Sequence, residues 1–291
     1  MRTLSKALAG GLGALSLLPL AGCQPALLAP RGPVGAAEKT ILIDSMIIML
    51  VIVVPTIVAT LAFAWWFRAG NKRARYRPTW HFSGSIELVV WSIPVMVILL
   101  LGGVTWIGSH QLDPAKPLGS AHPALNIQVV SLDWKWLFIY PDQHVAAVNE
   151  LVVPAGVPLH FSLTSASVMN AFFVPQLGSM IYTMNGMRTQ LNLQADEPGT
   201  FHGLSGHLSG DGFSDMHFEV RALPAAQFTA WLDSARSGGK ALDGTSYRAL
   251  MHQGIEPQPL LYGAVEPGLF EHILTQRIPP APGPEAQAKA R

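Results

Sequence analysis

From Ser45 to Phe67, and again from Leu88 to Gly108, the chain carries no charged residue. Each run is long enough to cross a hydrocarbon core of about 30 Å as a helix. Trp65 and Trp66 close the first run, and Trp91 and Trp106 lie near the ends of the second. That is the placing of an interfacial aromatic belt. Pro55 falls in mid-span and predicts a kink, and Pro94 lies in the first turns of the second run. After Pro117 the pattern shortens to apolar or alternating runs: Asn126–Leu132, Trp134–Tyr140, Glu150–Val153, Leu159–Thr164, Ala171–Val174, Thr189–Leu193 and Met216–Arg221. Pro-Asp at 141, Pro-Ala-Gly at 154, Pro-Gln-Leu-Gly at 175 and Glu-Pro-Gly at 197 break them. Strands of this length and spacing predict one Greek-key β-sandwich. Helical patterns follow around Ala225–Ala235, Tyr247–His252 and Pro267–Gln276, and Pro279–Arg291 is Pro/Ala-rich.

The chain start predicts export. Arg2 and Lys6 precede an apolar run from Ala7 to about Leu18, too short for a span. Leu20-Ala21-Gly22-Cys23 then resembles a bacterial lipobox, in which the cysteine is lipidated and becomes the new N-terminus. Cys23 is the single cysteine in 291 residues, which excludes an intrachain disulfide, a zinc ribbon and an iron–sulfur cluster. Composition agrees with a membrane protein. Hydrophobic residues make up 49% and charged residues 13%, where a soluble domain has about 25% charged. The mean hydropathy is +0.32. A net charge of +1 gives no field for a nucleic acid, and the apolar content excludes a disordered chain.

Charge sets the expected orientation. The 68–85 loop holds Arg68, Lys72, Arg73, Arg75 and Arg77 and no acid, whereas Glu38, Lys39, Asp44, Asp113 and Lys116 mix the signs on the outer flanks. The positive-inside rule puts that loop in the cytoplasm and both termini outside, in agreement with an exported Cys23. The expected division is a signal peptide over 1–22, an outer linker over 23–39 starting at lipidated Cys23 and a first span over 40–67. A cytoplasmic loop over 68–85 and a second span over 86–109 follow. An outer domain over 118–222, a helical arm over 223–278 and a disordered tail over 279–291 complete it.

This organisation resembles subunit II of the haem–copper respiratory oxidases over nearly the whole chain, from Cys23 to about Arg277. The resemblance is carried by the helix-opening Ser85-Ile86-Glu87-Leu88-Val89-Val90-Trp91-Ser92-Ile93-Pro94 and by Asp133-Trp134-Lys135-Trp136. It continues through Ser167-Val168-Met169-Asn170-Ala171-Phe172-Phe173-Val174-Pro175 and Glu197-Pro198-Gly199-Thr200. It implies a membrane-anchored α+β chain, with two N-terminal transmembrane helices, a cupredoxin-like Greek-key sandwich and a C-terminal helical arm.

In the cytochrome c oxidases of that family the sandwich holds a dinuclear copper centre built on two bridging thiolates, two imidazoles, a methionine and a backbone oxygen. Here Ser205 and Ser209 stand at the cysteine positions, His207 at the carboxylate position, Phe213 and Asn170 at the histidine positions, and only Met216 is kept. A neutral hydroxyl cannot replace a thiolate in stabilising mixed-valence copper. The departures resemble the bo-type ubiquinol oxidase branch, whose subunit II is a lipoprotein without copper. That branch implies no cofactor in this chain, with two haems and one copper in subunit I. It implies subunits I, III and IV as partners, ubiquinol as the substrate of the complex and no docking of cytochrome c. It implies the bacterial inner membrane as location, and aerobic respiration with proton translocation as role.

Glu87 is the candidate functional residue. A carboxylate at a membrane boundary is costly unless it is solvated, paired or functional. The matching glutamate of the family opens a proton-input channel, although a helix N-terminal acid also favours the dipole. His202, His207 and His217 lack metal-ligand spacing and are read as surface or packing residues. Trp134, Trp136 and the methionines at 169, 180, 184 and 187 are read as packing. The alternatives are a cytochrome c oxidase subunit II, which needs thiolates at 205 and 209, and a membrane-anchored cupredoxin-like binding or assembly lipoprotein.

Overall fold

A computed structural model describes residues 26–284 apart from Tyr76 and Ala121. Cys23, the signal segment and residues 285–291 lie outside the described residues. The described chain forms two compact units, one running Ala37–Lys116 and the other combining the residues up to Ala36 with those from Pro117 onward.

The first unit is built on two helices, α1 (Pro33–Trp66) and α2 (Gly84–Gln111). Both are longer than the expected spans 40–67 and 86–109. Pro33 sits at the first helical position, where its missing N–H costs nothing, so α1 starts inside the expected linker. Both helices are long and apolar enough to cross a membrane, and their most apolar windows are wholly unburied. Leu61, Leu88, Met96 and Leu99 all project outward. Gly108 lets the helices approach, since a Cβ there would lie 2.8 Å from Ile41 Cδ1.

The second unit is a two-sheet sandwich. Its strands are β1 (Leu125–Leu132), β2 (Lys135–Tyr140), β3 (Val145–Val148), β4 (Glu150–Pro154), β5 (Pro158–Ser165) and β6 (Asn170–Phe173). Strands β7 (Ile181–Thr183), β8 (Thr189–Gln194), β9 (Gly199–Ser205) and β10 (His217–Leu223) follow. Beyond them come α3 (Ala225–Gly238), β11 (Lys240–Leu242), α4 (Gly244–Leu250), β12 (Leu260–Val265) and α5 (Leu269–Leu274). One sheet has the order β11-β12-β3-β2-β1-β5-β8 and the other β4-β10-β9-β6-β7.

Strand β2 shows why this stack holds. Trp136, Phe138 and Tyr140 alternate with Leu137 and Ile139, and all five are buried. Side chains of a strand alternate between faces, so two separate cores are needed. Between the sheets, Trp136 packs edge-on to Phe172 at 5.5 Å and Phe172 stacks on Phe218 at 5.1 Å. Gly203 leaves room for that ring, because a Cβ there would lie 2.1 Å from Phe218 Cζ. On the other face, Leu137 and Ile139 pack with Leu242, Tyr247, Leu250, Phe270 and Ile273 of the C-terminal arm.

The arm expected as helical over 223–278 therefore also contains two strands. β12 pairs antiparallel with β3, and β11 pairs parallel with β12. The reason is edge protection: β3 would otherwise expose a row of unpaired backbone groups. Gly263 allows the close packing, since a Cβ there would lie 2.6 Å from the Ala235 carbonyl oxygen. Residues 279–284, expected within a disordered tail, lie on the sandwich: Ala281 donates its N–H to Ala166 O at 2.8 Å, and Gly283 and Pro284 are buried.

Residues 31–36 are a strap on the sandwich rather than a free linker. Arg31 N–H donates to Gln176 O at 2.7 Å, Asp196 N–H to Arg31 O at 2.9 Å and Gly35 N–H to Leu177 O at 3.0 Å.

Candidate functional site

Two places hold the residues singled out by sequence. The first is at one end of the sandwich. Strand β6 opens on buried Asn170, strand β9 closes on buried Ser205, and the following loop brings Ser209 and Met216 inward. Ser205 Oγ donates to Asn170 Oδ1 at 3.2 Å, and Ser209 Oγ donates to Met216 Sδ at 3.9 Å. Ser205 N–H donates to the Met216 carbonyl at 3.1 Å, so strand and loop close on each other. Ser205 Oγ also lies 3.3 Å from the carbonyl oxygen of His207.

The aromatic motif after β1 supports this loop. Trp134 has φ 68°, in the left-handed region, where a tight turn between β1 and β2 tips its ring out of the strand. Its indole Nε1–H donates to Ser209 O at 2.9 Å. A Cβ on Gly212 would lie 2.2 Å from Trp134 Cδ2, so the loop rests on the ring with glycine at the contact. Asp133 accepts a hydrogen bond from Ser167 Oγ.

The geometry therefore gathers Asn170, Ser205, Ser209 and Met216 into one buried, hydrogen-bonded cluster. Phe213 opens a short 3-10 turn and is only partly buried. His207 sits beyond the end of β9, with its ring edge-on to Tyr182 at 6.0 Å. His202 and His217 are exposed on β9 and β10. Among the described residues no group of three His, Cys, Asp or Glu side chains could hold a metal ion. The donor set does not fit a dinuclear copper centre. It offers one soft thioether and no thiolate, and the Ser205 hydroxyl is spent on an amide oxygen.

The second place is the start of α2. Ser83 stands at the N-cap position without a side-chain capping bond, and Glu87 lies in the first turn, where a carboxylate favours the helix dipole. Trp91 Nε1–H donates to Glu87 Oε2 at 3.1 Å, one turn along the same face. The carboxylate is thus oriented yet still open on its other side.

Sequence reading missed a buried charged group between sandwich and arm. Lys135 is buried, and its Nζ donates to the His252 carbonyl at 2.7 Å. Burial pushes its pKa down, against the pull of Glu256 and Asp133. Burial pushes Asp133 up, against the Ser167 hydrogen bond and the charge of Lys135. The signal was a lysine placed between two tryptophans in an otherwise apolar strand.

Comparison with known proteins gives the family. The family described as cytochrome C oxidase subunit II, periplasmic domain, matches residues 141–223. The COX aromatic rich motif matches residues 236–280. Cytochrome bo(3) ubiquinol oxidase subunit 2 of Pseudomonas aeruginosa is 47% identical over 265 residues, covering 90% of this chain and 80% of the relative. Ubiquinol oxidase subunit 2 of Acetobacter aceti is 46% identical over 270 residues, covering 92% and 87%. The crystal structure of the periplasmic domain of subunit II of the Bradyrhizobium japonicum cytochrome oxidase matches 40% of this chain and 98% of its own length. Its sequence identity is 24% and its TM-score 0.39.

Proposed function

The chain belongs to the family of subunit 2 of the haem–copper ubiquinol oxidases, and on that footing we propose that it caps and feeds such an oxidase without carrying a redox centre of its own. The observation that carries this reading is the buried Asn170–Ser205 pair beside Ser209 and Met216. A copper-bearing sandwich passes electrons from an outer donor inward. A sandwich closed on hydroxyl and amide groups has no ligand set for that relay, and none is needed when the donor is ubiquinol dissolved in the membrane. The haems and copper then reside in a partner subunit I, with subunits III and IV completing the assembly and cytochrome c playing no part.

Glu87 is the residue of this chain that takes part in the reaction. With the 68–85 loop in the cytoplasm, it sits at the cytoplasmic end of α2. There its carboxylate collects protons and passes them toward the partner subunit, held by Trp91. Cys23 carries the lipid anchor on the outer face, and both termini lie on that side. The division into signal, lipidated linker, two spans, outer domain and arm supports the same arrangement.

The full chain is purified from membranes in detergent. It is expected to bring down a haem-containing multi-span partner with ubiquinol oxidase activity, and the complex is expected to contain no copper attributable to this chain. Absence of any haem-containing partner rejects the oxidase reading. A mixed-valence copper spectrum lost on Met216→Leu rejects the loss of the outer relay.

A further inference from the structure

The loop between the two long helices folds over a concavity of about 1050 Å³ at their shared end. Arg68, Arg73, Arg75 and Arg77 line it together with Phe67 and Trp80. Asn71 shapes the turn: its Nδ2 donates to Trp66 O at 2.5 Å and its Oδ1 accepts from Arg73 N–H at 3.1 Å. Arg68 lies over the Trp65 ring at 4.8 Å, which fixes one guanidinium at the aromatic rim. Among the described residues none of these four arginines is paired with a carboxylate within 4.0 Å. Four cations without a carboxylate partner converge on one cavity whose remaining wall, Asn71 apart, is apolar.

We propose that this concavity binds one anionic phospholipid, its phosphodiester groups held by the arginines and its acyl chains running along the exposed apolar flanks of α1 and α2. Three features favour a lipid over a soluble anion. The wall is half aromatic and apolar, which a free phosphate cannot use. The concavity lies at the ends of both apolar helices, which falls at the level of lipid headgroups when those helices span a membrane. Guanidinium forks match phosphate oxygens bidentately, and four of them suit a lipid carrying two phosphodiesters better than one carrying a single phosphate. The inference requires that α1 and α2 span a membrane, and is independent of the proton-uptake role given to Glu87.

The test uses the intact detergent-solubilised complex, depleted of lipid and then offered diphosphatidylglycerol, phosphatidylglycerol, phosphatidylcholine or inorganic phosphate. Retained lipid is counted by native mass spectrometry. The wild type is expected to retain one diphosphatidylglycerol that millimolar phosphate does not displace. Arg75→Gln/Arg77→Gln is expected to retain it at least about tenfold less strongly, as befits the loss of two charge-assisted contacts. Because fewer cations could also disturb insertion, Arg75→Lys/Arg77→Lys keeps the charge and removes only the forks. It is expected to assemble normally and to bind with intermediate strength. Equal retention by wild type and both variants overturns the proposal. Equal retention of phosphatidylcholine, displacement by phosphate, or no retained lipid because a partner subunit fills the concavity overturns it as well.

Discussion

Trp91 donates its indole N–H to the Glu87 carboxylate at 3.1 Å across one turn of helix α2. Glu87 therefore has a fixed direction at the end of an otherwise uncharged helix. Glu87→Ala is expected to slow quinol-dependent oxygen consumption by about a hundredfold, the low end for loss of a proton-transferring group, with subunit and haem content unchanged. Glu87→Asp should recover part of the rate and Trp91→Phe should lose less than Glu87→Ala. Unchanged turnover and proton translocation in Glu87→Ala would reject the proton-uptake role.

Lys135 ties the arm to the sandwich through the His252 carbonyl, so its removal should act on the arm first. Lys135→Met is expected to destabilise the outer unit by about 2 kcal/mol, as for loss of a hydrogen bond made by a charged group, and to raise amide exchange across 244–265. The pH dependence follows from Asp133, whose pKa burial already raises. A raised carboxyl pKa stabilises the fold fully below the ordinary Asp value and loses that effect as pH rises through the folded value. Removing the lysine raises it further, so the loss in thermal stability should be larger at about pH 8 than at about pH 5. A pH-independent loss would contradict this coupling.

Tyr140 joins the two sheets. Its hydroxyl donates to the Val152 carbonyl at 2.8 Å and accepts from the Val152 N–H at 2.9 Å. Burial keeps the phenol protonated well above its ordinary range. Tyr140→Phe leaves both backbone groups of Val152 buried without that partner and should cost about 2 kcal/mol in denaturant unfolding. A loss within error of zero would mean that β4 takes its stability elsewhere.

Gly32 sits where the strap crosses the sandwich, and a Cβ there would lie 2.1 Å from the Gln194 carbonyl oxygen. Gly32→Ala is expected to detach residues 31–35 while the sandwich stays folded. Hydrogen exchange at Asp196 and Gly35, whose N–H groups are bonded in the strap, should then accelerate by at least about tenfold with little change elsewhere. Protection retained at both amides would show that the strap accommodates the methyl group.

Much of the fold was legible because its determinants are local. The uncharged runs ending at Phe67 and Gly108 and the strands around Val129, Leu163 and Leu191 follow from hydropathy and from period-2 alternation. Strand β9 was harder to read. Gly199-Thr200-Phe201-His202-Gly203-Leu204-Ser205 holds two glycines, and its strand depends on packing from β10, where the Phe218 ring fills the space that Gly203 leaves and stacks on Phe172. The segment Leu260–Val265 was likewise read within a helical region, since nothing near it in sequence announces the open edge of β3.

The candidate site divides in the same way. The sequence by itself determined which chemistry is available: one cysteine, at position 23, and therefore serines where bridging thiolates would stand. It also determined the two apolar helices and the basic loop between them, because hydropathy and charge are properties of composition along a short stretch. Only the tertiary structure decided that Asn170 and Ser205 satisfy each other across two strands, that Trp134 carries the 209–212 loop, and that a buried lysine fastens the arm. It likewise decided that four arginines share one cavity with four aromatic side chains. The first three relationships join residues far apart in the chain, and burial is what fixes them: a polar group removed from water must find a partner wherever the fold brings one.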